Sequence, residues 1–206
     1  VNDSIELTLQ TIESILSSDF TVPYHYYVYN DFSTDENTAR LREASEKMGF
    51  ELINLSDLTD HPSPNYLLIL QTAQQKAIDA DAGLLIVESD VIVKKHTLQS
   101  LFDGALARPD CGIAAAVTVD EQENINYPYL YAKGKEGKVF PEKKHLSFCC
   151  SLLTLLFLKS FDFHQLDPEK NWHDVTISHR SLEKGFTNYL FTTLTVWHRP
   201  HGSRPW

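Results

Sequence analysis

Gly83-Leu84-Leu85-Ile86-Val87-Glu88-Ser89-Asp90-Val91-Ile92-Val93 sets an apolar run against an abrupt acidic break and then resumes it. Branched apolar residues over so short a stretch, opened by a glycine, describe a buried strand. Side chains two apart on a strand share a face, so Glu88 and Asp90 are expected to face one crevice at the strand's carboxyl end. Two readings fit this placement. A pair of oxygen donors suits a hard divalent cation that also holds phosphate. Equally, the strand can stop in a turn, with Asp90 bonding nearby backbone amides.

Upstream of this strand, Ile5, Leu9, Ile12 and Leu16 recur every three or four residues and predict an amphipathic helix that closes near Asp19 to Pro23. His25-Tyr26-Tyr27-Val28-Tyr29 is rich in strand formers. Ser33 with Glu36 reads as a capping box, opening a helix through Leu41 and Ala44 that stops at Gly49. Phe50 to Leu55 predicts another strand, and Tyr66 to Ile78, after a proline-containing loop, has helical spacing. Downstream, Leu98, Leu101, Phe102 and Ala105 give a helix and Ile113 to Val119 a strand. Strands alternating with helices imply right-handed βαβ units, an α/β class and a mainly parallel sheet covered on both faces. In such sheets ligands bind beyond the carboxyl ends of the strands, where Asn30-Asp31 and Glu88-Ser89-Asp90 both fall.

The final third has a different texture. Asp120 to His145 shows no clear period and reads as a mobile excursion, with Lys133, Lys135, Lys138, Lys143 and Lys144 as a solvated cluster rather than an anion site. Leu146 to Leu158 is nearly apolar yet shorter than the ~20 residues of a membrane span. Val175, Ile177 and Leu182 outline a helix ending at Gly185, and Leu190 to Val196 is a last strand leading into Trp197-His198-Arg199-Pro200-His201.

Composition narrows the function classes. With 206 residues and 42% hydrophobic content, the chain can bury one substantial core, so a single domain over 1–206 is expected. A formal charge of -10 disfavours phosphate-backbone binding as the main activity. Three cysteines, two of them adjacent at Cys149 and Cys150, suit neither a disulfide framework nor a CxxC zinc site, and a reducing cytosol is the expected setting. No signal-like segment opens the chain, and a start at Val1 rather than Met reads as a piece of a longer polypeptide. No GxGxxG follows a strand, and P-loop, GxSxG and HExxH spellings are missing, which leaves dinucleotide, Walker, serine-hydrolase and zinc-hydrolase chemistry unsupported.

Tyr29-Asn30-Asp31-Phe32-Ser33-Thr34-Asp35-Glu36-Asn37-Thr38, then Val87-Glu88-Ser89-Asp90, then Trp172-His173-Asp174-Val175 with Arg180 and Gly185, then Val196-Trp197-His198 form an ordered series. In this order and at these separations the chain resembles family 2 glycosyltransferases of the GT-A fold, bacterial type. The resemblance implies a three-layer α/β/α domain with a nucleotide-binding part over about 1–119 and an acceptor-side part over about 120–206. It implies an inverting enzyme that uses Mn2+ or Mg2+ to move a sugar from a nucleoside-diphosphate donor, expected to be a UDP-sugar, to a hydroxyl acceptor. The acceptor class it points to is a bacterial polysaccharide or lipid-linked glycan, handled in the cytoplasm, with peripheral membrane association and no nucleic-acid partner.

Carried over residue by residue, Asp31 matches the acidic position that reads the base of the nucleotide, and the aspartate before it is Asn30 here. Glu88 and Asp90 match the DxD, with Asp90 on the metal and diphosphate and Glu88 nearer the ribose or sugar; glutamate lengthens that first arm. His198 matches the histidine that completes the metal site, with His201 as the fallback ligand. Asp174 matches the aspartate of the ED motif, the general base that takes the acceptor proton, while His173 replaces the preceding glutamate. Arg180 is read as an ion-pair strut, and Tyr127, Tyr129, Tyr131 and Trp172 either stack on acceptor sugars or pack in the core. The chain opens at or after the point where the family's first strand ends, so that strand is expected to be absent. Two other classes stay open: a sugar-nucleotide nucleotidyltransferase, whose glycine-rich basic loop this chain does not show, and a catalytically degenerate nucleotide-sugar-binding module.

Overall fold

The computed structural model describes residues 1–2 and 4–199. In chain order it forms α1 (Ile5–Leu16), β1 (Tyr27–Asn30), α2 (Asp35–Met48), β2 (Glu51–Asn54), α3 (Tyr66–Asp79), β3 (Leu84–Val87), β4 (Val91–Val93), α4 (Thr97–Leu106) and β5 (Cys111–Val119). The chain continues through β6 (Val139–Pro141), β7 (Cys150–Leu153), α5 (Leu155–Ser160), α6 (His173–Glu183) and β8 (Thr187–His198).

Local chemistry explains most of the boundaries. The cap of α2 is Thr34, whose side chain accepts from the Asn37 N–H, so the helix opens one residue later than a box on Ser33 would place it. Gly49 closes α2 in the left-handed region at φ 81, which glycine adopts without a side-chain penalty. The apolar stretch Leu146 to Leu158 divides into strand β7 and helix α5 at Thr154, whose side chain caps the helix through the Phe157 N–H. β7 is buried on both faces and α5 carries an apolar residue, Leu156, even on its exposed side, so no polar period announces the switch.

The six-stranded sheet runs β3-β7-β5-β8-β4, with β6 also on β8. Its main strands β3, β5 and β8 share one direction, and β7 is inserted antiparallel between β3 and β5. The short strands β4 and β6 run antiparallel to β8. β1 and β2 form a separate parallel pair. On the other edge of β1, the Val1 ammonium donates to the Tyr29 carbonyl at 2.8 Å and the Asp31 N–H donates to the Val1 carbonyl at 2.7 Å. That is the slanted bonding pattern of a parallel ladder. Among the described residues no strand lies beyond Val1 to join the two sheets.

Alternation along β5 builds the two cores. Ile113, Ala115, Val117 and Val119 pack with Leu70 of α3, Phe157 of α5 and Ile177 of α6. Cys111, Ala114 and Ala116 pack with Ile15 of α1 and with Leu98, Leu101 and Ala105 of α4. The result is a helix–sheet–helix sandwich, the three-layer α/β/α arrangement expected of strands that alternate with helices. The strands' carboxyl ends, and the turns beyond them, remain free to carry chemistry.

Candidate active site

The acidic break is a turn, and it carries the candidate site residues Glu88 and Asp90. After β3 the chain closes on itself through Glu88-Ser89-Asp90, with the Val91 N–H donating to the Glu88 carbonyl at 3.1 Å. Helix α1 pins the turn from below: Thr11 Oγ1 donates to the Ser89 carbonyl at 3.0 Å, and Ser14 Oγ accepts from the Val93 N–H at 3.1 Å. The β4–β8 register sets Val91 opposite His198, which delivers the histidine to the neighbouring Asp90. The two meet with His198 Nε2 3.5 Å from Asp90 Oδ2, their side chains only 6% and 16% exposed.

His198 is also held from behind. Its Nδ1 lies 2.9 Å from the Tyr127 carbonyl, which can only accept, so Nδ1 carries the proton and Nε2 faces Asp90. Burial works to lower the His198 pKa, but the bond and charge of Asp90, the Tyr127 carbonyl and the charge of Glu88 together hold it above its ordinary value. A carboxylate oxygen beside an imidazole nitrogen whose other nitrogen is tied to a carbonyl is a donor set that fits Mn2+ or Mg2+. Among the described residues no three His, Cys, Asp or Glu side chains are gathered as metal ligands. A cation here would take two protein ligands and complete its shell with phosphate and water, as magnesium-type sites do.

Glu88 stands apart from that pair. The β3–β7 ladder brings the Glu88 N–H to the Cys149 carbonyl at 3.0 Å, and Cys149 Sγ in turn lies 3.3 Å from Glu88 Oε2. Burial first, then the Asp90 charge, raise the Glu88 pKa, and Asp174 adds to the effect; the thiol bond and His198 oppose it. Glu88 thus feels the charges of Asp90, His198 and Asp174 without bonding to any of them.

Asp174 is the second residue of α6, and its Oδ1 accepts from the Val175 N–H at 2.8 Å. Burial raises its pKa, opposed by that bond and by the charges of His145 and His173. One turn along the same helix face, Ser178 Oγ accepts from the Leu146 N–H at 3.0 Å and donates to the Leu146 carbonyl at 3.4 Å. That clasp draws His145 alongside Asp174.

Asp31 sits just past β1, buried at 6% exposure, with its carboxylate engaged by the loop before α3. Oδ2 accepts from Ser63 Oγ at 2.8 Å and from the Asn65 N–H at 2.9 Å; Oδ1 accepts from Asn65 Nδ2 at 2.7 Å. Oδ1 therefore has room for one further donor.

The remaining candidates separate cleanly. Tyr129 is 1% exposed and belongs to the core, its hydroxyl tied to the backbone of Ser147. Tyr127 and Trp172 are exposed at 52% and 61%. Lys135 lies over the Phe140 ring and Lys144 over the Tyr131 ring, and Arg180 pairs with Glu183 at 2.6 Å. His201 lies outside the described residues. Sequence reasoning missed Ser63, Asn65, Tyr66, His145, Cys149 and the Tyr127 carbonyl, because each reaches the crevice through strand register or loop closure rather than through a spacing. The one available signal was Asn65-Tyr66, polar and aromatic residues opening a helix after a proline-rich loop.

No protein-family profile matches the sequence, and no curated protein matches it. Solved structures do. S. aureus TarS 1-349 superposes with a TM-score of 0.73 at 15% identity, covering 96% of this chain and 58% of that one. A longer S. aureus TarS structure gives 0.68 at 13% identity, covering 97% and 35%. The mannosyltransferase PcManGT from Pyrobaculum calidifontis, in complex with GDP-Man and Mn2+, gives 0.70 at 13% identity, covering 98% and 56%. The chain has the GT-A-like glycosyltransferase fold and spans less than two thirds of these neighbours. No helix among the described residues is long and apolar enough to cross a membrane.

Proposed function

We propose that this chain is a metal-dependent, inverting glycosyltransferase domain of the family 2 type that takes a nucleoside-diphosphate sugar, with a UDP-sugar as the first candidate. The observation that carries the reading is the Asp90–His198 pair at the strand ends, 3.5 Å apart, with the histidine oriented by Tyr127. The Mn2+ and GDP-Man held by PcManGT on the same fold support it. Asp90 and His198 would hold a divalent cation, which would supply countercharge to a diphosphate leaving group.

The chain's own groups divide the remaining work. Asp31, through the free capacity of Oδ1, accepts an N–H from the nucleotide base. Glu88 lines the ribose and sugar side. Asp174 removes the proton of the acceptor hydroxyl as that oxygen attacks the anomeric carbon, and its raised pKa makes it a stronger base than an ordinary carboxylate. Residues 1–119 carry the donor side and 120–206 the acceptor side of one domain. The acceptor belongs to a bacterial polysaccharide or lipid-linked glycan, met at the cytoplasmic face of the membrane.

Incubation with UDP-, GDP- and dTDP-sugars and Mn2+ tests the proposal. Nucleoside-diphosphate release that disappears in Asp90→Ala supports a transferase. Metal-dependent binding without release in the presence of acceptor glycans would instead favour a binding module, and pyrophosphate exchange a nucleotidyltransferase.

A further inference from the structure

Tyr66 opens α3 directly after Asn65, the residue that Asp31 holds by its backbone and side-chain nitrogens. That double bond fixes the first turn of α3 against the end of β1. The Tyr66 ring packs on His173, with centroids 6.4 Å apart, and its hydroxyl is buried without a hydrogen-bond partner among the described residues. The charges that bear on this hydroxyl, after burial itself, are Glu88, then Asp174, then Cys149, and all push its pKa up. Tyr66 thus lies beside His173, the chain neighbour of the proposed base, and directly after the Asn65 that Asp31 holds, with its O–H unpaired among the described residues.

A buried hydroxyl left unpaired is costly, so one kept next to His173 calls for a ligand that satisfies it. We propose that Tyr66 contacts the transferred sugar, its hydroxyl donating a hydrogen bond to a hydroxyl of the hexose. This rests on the glycosyltransferase reading above. The placement follows from the reaction's own geometry: Asp90 and His198 mark the diphosphate end, Asp174 marks the acceptor end, and the sugar must lie between them. Glu88 itself is tied by a 3.3 Å bond from the Cys149 thiol, a weak donor. A site built to satisfy a polar group discriminates strongly against ligands that leave it unpaired, so Tyr66 contributes to the choice of sugar.

Calorimetric titration of the wild type and Tyr66→Phe with UDP, UDP-glucose, GDP, GDP-mannose, dTDP and dTDP-glucose, each with Mn2+, tests this. Phenylalanine keeps the ring and removes only the hydroxyl. The expected result has three parts: unchanged affinity for the diphosphate that the wild type binds, about tenfold weaker binding of its sugar-bearing form, and an equal or higher Tm. Equal affinity of both proteins for the sugar-bearing form overturns the Tyr66 role and leaves the transferase reading standing. A lower Tm with both ligands lost together overturns it in favour of a structural role. A wild type that binds none of the six compounds removes the transferase reading and this inference together.

Discussion

His198 presents Nε2 to Asp90 Oδ2 at 3.5 Å while its Nδ1 is committed to the Tyr127 carbonyl at 2.9 Å. The two residues lie more than a hundred positions apart in the chain, and the β4–β8 register brings them together. His198→Ala and Asp90→Ala should each weaken Mn2+-dependent nucleotide binding by roughly 10- to 100-fold. Titration of nucleoside diphosphate with and without Mn2+ checks this. Unaltered metal dependence in both variants would remove the pair as ligands.

Asp174 carries a raised pKa because burial disfavours its charge. In the folded state it therefore holds its proton at a pH where the unfolded chain has released it. Stability should fall as pH rises from the ordinary carboxylate range through the raised folded pKa, and the penalty is complete above that value. Asp174→Asn removes the titration, so it should raise Tm at neutral pH, by about 2–4 °C for each kcal/mol relieved, and flatten the acid side of the Tm–pH curve. Sugar transfer should drop by roughly 10²–10⁴-fold in the same variant. Melting curves across pH, set beside turnover, read both effects. In the wild type, transfer should decline on acidification at a higher pH than a solvent-exposed carboxylate would give.

Asp31 binds three donors from the loop before α3. Asp31→Ala leaves Ser63 Oγ and the Asn65 N–H without this acceptor and Asn65 Nδ2 with only the His61 carbonyl, a loss of about 1–3 kcal/mol. Hydrogen exchange should quicken across residues 61–66 and remain unchanged in β5. Exchange as slow as in the wild type at the Asn65 amide would show that the carboxylate is not what secures this loop.

Gly112 begins the closest approach of β5 to α6. A Cβ placed there would lie 2.1 Å from Ser181 Oγ and 2.7 Å from the Phe186 Cβ. Gly112→Ala should destabilise the fold by about 1–3 kcal/mol through overpacking, seen as a lower midpoint in urea with an unchanged slope. Pairing it with Ser181→Gly should recover part of the loss.

The alternation of helices and strands was legible because each element carries its own period or cap: Ile5, Ile12 and Leu16 mark one face of α1, and Gly49 stops α2. Asp90 and His198 stand out in the sequence as candidates because each ends or follows an apolar strand. Their meeting depends on register, which no local pattern encodes. Leu146 to Leu158 gave no period because nearly all of it is buried, so the antiparallel insertion of β7 and the turn into α5 stayed hidden. Asp31 was read as a ligand-facing carboxylate, and the sequence offered no sign that Ser63 and Asn65 already occupy most of it. Those partners lie over thirty positions away, beyond the reach of turn or cap rules.

The crevice draws Asp31 from the end of β1, Tyr66 from the start of α3, Asp90 from the turn after β3, Asp174 from the start of α6 and His198 from the end of β8. No contiguous peptide of this chain contains more than a fragment of it. Under the proposed function, ligand affinity would double as a folding gauge: the number of binding-competent molecules in a preparation would count those in which every one of these segments has docked. A single proteolytic nick that frees β8 would silence the whole site while leaving most of the sequence intact.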